Sequence, residues 1–543
     1  MTAFTGTGRL VRLALRRDRI QLPLWLLGLM VVQAVTITSI VGLYPDDADR
    51  IALAMSSARS PVSLMFNGLV SGSSMGATVV AQGFLTVAIG AALMSTLAVV
   101  RHTRQNEETG RAEMIGAGIV GRHASLTAAL LVAVAANVVL ALASAAVLIS
   151  NELPLAGSIA AGAEVGAVGI TFAALAAVAA QIAETSRGAN GLAAAAVGIA
   201  FILRAVGAVS GKVVDGGLTV VSAWPTWLSP IGWGEEVRAF DRNNWWVFGL
   251  FALAFLGLTG TAFVLTTHRD LGAGLRTVRP GPAVAASRLL SPLGLAWRLQ
   301  RGGMIGWAVG VAILGAIFGG VGDEIEEFAS DSEEMADYLD QLGGVGQLTD
   351  LYFAVSFSLT AIVVAAYATQ ALLRLRSEEV AGRAEPLLAT AVSRPAWLWS
   401  HVGVALAGIV VLMVLAGLSA GVTYGVVIGD VGGQTPHLVT AALTYLPAVL
   451  VVAGLVVAVF GFLPFRAVAI GWTAVAVFFL MAQLGPLLDL PQAVLNLSPF
   501  THIPAVPAAD VTVLPLVALV IVGIGLLVVG VAAFRRRDLT MSS

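Results

Sequence analysis

The chain contains no cysteine, and lysine occurs once, at Lys212, among 30 basic residues. Without cysteine there are no disulfides, no Cys-ligated zinc and no thiol catalysis. Charge is scarce: Asp, Glu, Lys and Arg together make 11% of 543 residues, against about 25% in soluble domains. That excludes an ordinary soluble enzyme. The formal net charge of −2 says little, because placement of charge matters more than its sum, and nothing points to nucleic acid. The six histidines show no metal-ligand spacing, and no Gly-x-Ser-x-Gly elbow occurs. Gly207 to Val213 lacks both the spacer and the Ser/Thr of a phosphate-binding loop. These absences argue against catalysis by this chain, so the expectation is a non-enzyme.

What is present is apolar sequence: 58% of residues belong to the hydrophobic set. Windows such as Gln21 to Leu43, Gly76 to Val100 and Pro515 to Phe534 carry no charge, and about 20 apolar residues cross a bilayer. The first window is about twice the length of a signal-peptide core and is read as a retained helix. Spans are expected near 21–43, 76–100, 124–149, 155–182, 190–209 and 246–267, then 304–320, 351–373, 397–424, 436–463, 467–487 and 512–534. Twelve spans place both termini on one side. Taking that side as cytoplasmic gathers 24 of the basic residues there, leaves five outside and keeps Arg204 within a span, as the positive-inside rule requires. The acidic run from Asp323 to Asp350 then falls outside as a solvated face.

The two halves repeat. Arg104-Gln-Asn-Glu107-Glu108-Thr-Gly110-Arg111-Ala112-Glu113 returns as Arg376-Ser-Glu378-Glu379-Val-Ala-Gly382-Arg383-Ala384-Glu385. In the same order, Leu13-Ala14 with Arg16, Arg19 and Trp25 returns as Leu295-Ala296 with Arg298, Arg301 and Trp307. Leu228-Ser229-Pro230 returns as Leu497-Ser498-Pro499, and Arg269-Asp270-Leu271 as Arg537-Asp538-Leu539. The expectation is an all-α polytopic membrane protein of 12 transmembrane helices, built as two parallel six-helix repeats about an axis along the membrane normal. Residues 1–271 form the first half, 272–292 a cytoplasmic linker and 293–543 the second half.

Thr7 to Ile20 spaces Arg9, Arg12, Arg16 and Arg19 around apolar residues, as in an interfacial amphipathic helix. Plain positive-inside anchoring gives the same composition. The repeated Glu/Arg segments lie between the second and third spans of each half. Docking to a cytoplasmic protein would use such charges for register and partner choice, whereas a solvated loop with internal ion pairs needs no partner. Inside the spans, Glu164 and Arg204 stand at similar depth, which permits an ion pair between neighbours, a substrate contact or exposure to an outer vestibule. Trp224, Trp227, Trp233, Trp245 and Trp246 crowd the outer boundary of the sixth span. An interfacial belt and a hydrophobic outer gate, with Pro499 and His502 in the second half, are the two readings.

With these residues the chain resembles the membrane subunit of an ABC-2-type exporter (type V ABC exporter-like), and most closely the bacterial family of polyketide-antibiotic and multidrug exporter permeases. The resemblance rests on Leu13 to Arg19 leading into Trp25, on Glu107 to Glu113 with its second copy, and on Leu228 to Gly234. It implies a connecting helix and an ATPase-coupling helix in each half, at Arg104, Glu107, Glu108, Arg111 and Glu113 and at Arg376, Glu378, Glu379, Arg383 and Glu385. A second coupling contact would fall at Glu184 and Arg187 and at Arg466, and membrane-dipping helices within Val213 to Asn244 and Asp489 to Val511. It further implies no cofactor in this chain, with ATP and Mg bound by two copies of a separately encoded ABC ATPase. Other expected partners are the lipid bilayer and a small hydrophobic substrate, in the bacterial inner membrane with both termini cytoplasmic. A proton-coupled 12-span secondary transporter, with Glu164 as carrier site, and a lipid-exporting ABC permease are the alternatives.

Overall fold

The computed structural model describes residues 2–270, 272–275, 283–330, 345–484 and 491–539. Part of the linker and residues 331–344, half of the Asp323 to Asp350 run, lie outside the described residues. The chain divides into two compact units, Met1–Gly281 and Pro282–Ser543.

In the first unit, α1 (Thr7–Arg17) is amphipathic and leads through a break at Asp18–Ile20 into α2 (Gln21–Leu43). Two short helices, α3 (Asp47–Arg59) and α4 (Pro61–Phe66), precede α5 (Met75–His102). A charged elbow of α6 (Arg104–Glu108) and α7 (Arg111–Gly116) follows, turning at Gly110, whose φ of 71° suits glycine. Then come α8 (Ala124–Ser150), α9 (Leu155–Ile182), α10 (Ser186–Val209), α11 (Pro230–Glu236) and α12 (Val247–Thr267). In a bilayer every backbone polar group must be bonded within its own segment, so all-round apolar runs become helices. Two of these long helices, α5 and α10, start on an oxygen cap: Ser74 accepts from the Ala77 N–H and Thr185 from the Gly188 N–H. Within this unit α5 and α9 are central, with 72% of their apolar windows buried, whereas α2 and α12 reach 17%. Small residues let α8 and α9 approach closely, Gly162 and Gly166 lying against the backbone of Ala141 and Asn137.

The second unit contains α13 (Pro292–Ser330), α14 (Val345–Leu372), an elbow of α15 (Arg374–Val380) and α16 (Ala384–Leu388), and α17 (Arg394–Ile428). After these come α18 (Val431–Leu443), α19 (Leu446–Phe462), α20 (Ala467–Leu484), α21 (Gln492–Leu495) and α22 (Val513–Arg536). Its core joins Phe353, Phe357, Leu412, Val452, Phe460 and Phe534.

Eleven described helices are long and apolar enough to cross a membrane. Of the span expected over 467–487, the described part holds a shorter apolar helix, Ala467–Ala482, and 485–490 lie outside the described residues. Two expectations change. The connecting helix and seventh span are one continuous helix, α13, whereas α1 and α2 are separate. The segment expected to dip as helices includes a β-hairpin, β1 (Lys212–Val214) with β2 (Thr219–Val221). Asp215, Gly216 and Gly217 all take positive φ there, a turn that breaks helix and favours a hairpin. The fold is therefore nearly, not wholly, helical.

Candidate coupling face and buried charges

On the face carrying α1, the C-terminal ends of α5, α9 and α12 meet. Arg104, fully buried, donates from Nε to the Ala180 carbonyl at 3.1 Å, from Nη1 to Glu107 at 2.7 Å and from Nη2 to the Ala273 carbonyl at 3.0 Å. Arg269, just past α12, grips the Glu107 carboxylate with two nitrogens at 2.6 and 2.8 Å. Its Nε reaches Gln181 at 2.6 Å. A bidentate guanidinium–carboxylate pair fixes orientation as well as distance. Asp18, after α1, accepts from His102 at 2.5 Å and pairs with Arg101 at 3.1 Å. Burial pushes its carboxyl up, but the bonds to His102 and the Arg101 charge outweigh it and hold the pKa below the ordinary 3.8. Glu108 accepts from the backbone N–H and hydroxyl of Ser186.

The second unit repeats the grip with its own residues. Arg537 holds Glu379 bidentately at 2.6 and 2.9 Å, and Glu379 also pairs with Arg376 at 3.4 Å. The Arg537 guanidinium lies over the Phe460 and Phe534 rings at 4.9 and 5.0 Å, and Arg376 over Phe465 at 5.1 Å. Arg383 closes on Glu378 at 2.6 Å, which Arg374 also approaches at 2.8 Å.

These contacts divide the elbow charges into an inward and an outward set. Arg104, Arg376, Glu378 and Glu379 are buried and Glu107 is mostly covered, because each carboxylate meets a guanidinium inside its own unit and burial requires that pairing. What faces outward is Arg111, Glu113, Met114 and Ile119 in the first unit, and Arg383 and Glu385 in the second. Met114 and Ile119 are 72% and 66% exposed. Arg187 and Arg466 are exposed, and Glu184 is half-buried close to Arg104. Arg269 and Arg537 were legible only as repeated Arg-Asp-Leu triplets. The signal for their role was that both triplets recur together with both glutamates.

At the opposite end of the first unit, Glu164 does not pair with Arg204. Arg204 is fully buried and binds Glu235 at 2.8 Å. It also donates to the carbonyls of Leu64 at 2.9 Å, Met65 and Asn67, the C-terminal carbonyls of α4, where a cation is favoured. The cause is donor number: five N–H groups find four oxygens on α4 and α11, and Glu164 offers no such set. Glu164 is 1% exposed, and its Oε2 has no hydrogen-bond partner among the described residues. It lines a cavity of about 20 Å³ with Gln33, Thr36 and Phe84, room for roughly one water. Glu236 accepts from Ser222 at 2.5 Å and faces Arg238 at 3.4 Å.

The aromatic cluster packs as a wall. Trp227 stacks on Trp246 at 5.6 Å, Trp233 donates its indole N–H to the Trp227 carbonyl at 2.7 Å, and Trp233 meets Phe251 edge-on. Trp224 projects, 73% exposed. In the second unit Pro499 is buried at the start of a single 3₁₀ turn, and His502 bonds the Asn496 carbonyl at 2.9 Å. Each set is packed within its own unit.

Among the described residues, eleven helices apolar and long enough to cross a bilayer define a polytopic membrane protein. The family described as multidrug efflux system permease Rv1217c, C-terminal domain, matches residues 8–265 and 289–535, and the chain belongs to it. The multidrug efflux system permease protein Rv1217c of Mycobacterium tuberculosis (strain ATCC 25618 / H37Rv) is 41% identical over 539 residues, covering 99% of this chain and 96% of that protein.

Proposed function

We propose that this chain is the permease subunit of an ATP-driven ABC exporter that moves small hydrophobic or amphipathic compounds, drugs among them, out of a bacterial cell. Hydrolysis takes place in a separate partner, two copies of an ABC ATPase that bind ATP and Mg. The observation that carries this reading is the paired elbow. In each unit a short charged helix after the second long apolar helix is locked by a bidentate Glu–Arg grip to the end of the last long helix. A push on the elbow is thereby delivered to the last helix of the same unit. Its outward residues remain for the partner, and a solvated loop would need no such grip. In this reading the arginine-rich face is cytoplasmic, both termini lie there, and the membrane is the inner one. The relative's efflux role supports the cargo class, and apolar paths suit such compounds.

The test is co-expression of the chain with a candidate ATPase, comparing wild type with the outward charge-reversal set Arg111→Glu, Glu113→Arg and Glu385→Arg. Loss of ATPase co-purification, with the chain's own melting temperature unchanged, is the expected result. Retention of the ATPase and of coupled hydrolysis by this set would sink the elbow assignment. A lipid cargo remains within the same machinery and is separated by which compound stimulates hydrolysis.

One observation favours a second reading. Glu164, buried without a partner for one oxygen, is what a proton-coupled secondary transporter needs as a carrier site. Flux driven by a proton gradient alone, and abolished by Glu164→Gln, would replace the ATP-driven assignment.

A further inference from the structure

Where α1 ends and α2 begins, the first unit carries an open groove of about 620 Å³. Its floor is one face of α2, where Leu24, Trp25, Gly28, Leu29 and Val32 follow one another toward the helix middle. Gly28 leaves a gap: a side chain there would meet nothing within 4 Å. From Ile20 to Val32 the face extends about 18 Å at 1.5 Å per residue, close to one leaflet's share, about 15 Å, of the hydrocarbon core. The groove's other end is different in kind. Arg17 and Arg101 form it. Arg17 spends one nitrogen on Asn106 at 2.6 Å, and Arg101 one on the buried Asp18. Burial, and then the neighbouring Arg101 and Arg111 charges, hold the Arg17 guanidinium below its ordinary pKa, so the cations repel one another and an anion would relieve them.

We propose that this groove is a binding site for an anionic phospholipid of the leaflet in which α1 lies. The headgroup phosphate sits between Arg17 and Arg101, and one acyl chain lies along Leu24, Gly28 and Val32. The charge at one end and the leaflet-length apolar face at the other select this occupant over a hydrophobic cargo molecule, which lacks the anion, and over free phosphate, which lacks the chain. Trp25 stands where interfacial indoles anchor. The site requires α2 to span a membrane and does not rest on ATP coupling.

The experiment uses the full chain, delipidated and then supplied with phosphatidylglycerol or phosphatidylcholine in nanodiscs, with retained lipid read by native mass spectrometry and stability by thermal unfolding. The wild-type chain is expected to retain phosphatidylglycerol preferentially and to melt higher in it. Each guanidinium removed is expected to weaken retention about fivefold, so that Arg17→Gln with Arg101→Gln loses about 25-fold. Gly28→Leu, which fills the gap and leaves both arginines in place, is expected to lose retention as well; it keeps the test open if the double variant fails to fold. Arg12→Gln, an exposed change on α1 outside the groove, is expected to leave retention intact. The proposal is overturned if phosphatidylcholine is held equally, if glycerol phosphate protects as well as the lipid, if Arg12→Gln acts like the groove variants, or if Gly28→Leu retains the lipid.

Discussion

At the residue scale, the elbow carboxylates are structural before they are anything else. Glu379 has 1% of its side chain exposed and sits between Arg537 and Arg376. Removing one partner of such a buried pair leaves an uncompensated charge, at a cost of about 3–5 kcal/mol. Glu379→Gln is therefore expected to lower the melting temperature in detergent strongly, and Glu107→Gln, whose carboxylate is slightly more open, somewhat less. A melting temperature unchanged by Glu379→Gln would contradict the geometry. Asp18 gives a pH signature. Its folded pKa is depressed, so its contribution is fully present above its ordinary pKa of 3.8 and fades as pH falls through the lower folded value. Asp18→Asn should destabilise at pH 7 by about 2 kcal/mol, the scale of a charged hydrogen bond, and the difference from wild type should vanish below the folded pKa. A difference that persisted there would place the stabilisation elsewhere.

At the element scale, helix pairs in the second unit meet through small residues because lipid offers no hydrophobic drive between apolar helices. Gly417, Gly421 and Gly425, spaced by four along α17, face α18 so closely that a Cβ on each would lie 2.5–2.6 Å from the Cα of Val439, Thr435 and Val431. The atoms opposed are backbone, which cannot swing aside. Gly421→Leu is expected to separate α17 from α18 and cost on the order of 1–3 kcal/mol, read as earlier unfolding and faster hydrogen exchange in 431–443. Gly403, on the same helix but with nothing within 4 Å, is the matched control: Gly403→Leu should be tolerated. If both variants melt alike, close packing of α17 on α18 is not what those glycines provide.

At the scale of the whole molecule, sidedness is the property on which function depends, and the lack of cysteine makes it directly measurable. A single introduced thiol is the only one in the chain. Met114→Cys on the first elbow and Val380→Cys on the second are both exposed sites. Both are expected to react with a membrane-impermeant maleimide only after the cells are opened. Trp224→Cys, at the opposite end of the first unit, is expected to react in intact cells. The reverse pattern would invert the orientation and with it the direction of export.

Membrane character, the positions of most spans, the doubled Glu/Arg segments and the multidrug efflux permease character of the family were legible in the chain itself. Length of apolar run is a one-dimensional quantity, and the bilayer converts it into helix without reference to anything distant. Partner choice among charges was not legible. Arg204 and Glu164 stand at similar depth by counting, yet Arg204 turns to Glu235 and the α4 carbonyls, because a five-donor fork settles where acceptors converge. Glu107 and Glu379 read either as docking charges or as members of ion pairs within their own loop, yet they face Arg269 and Arg537, 162 and 158 residues further along the chain. Desolvation makes an unpaired buried carboxylate too costly, so the chain closes on itself there, and only the tertiary fold determines which ends meet.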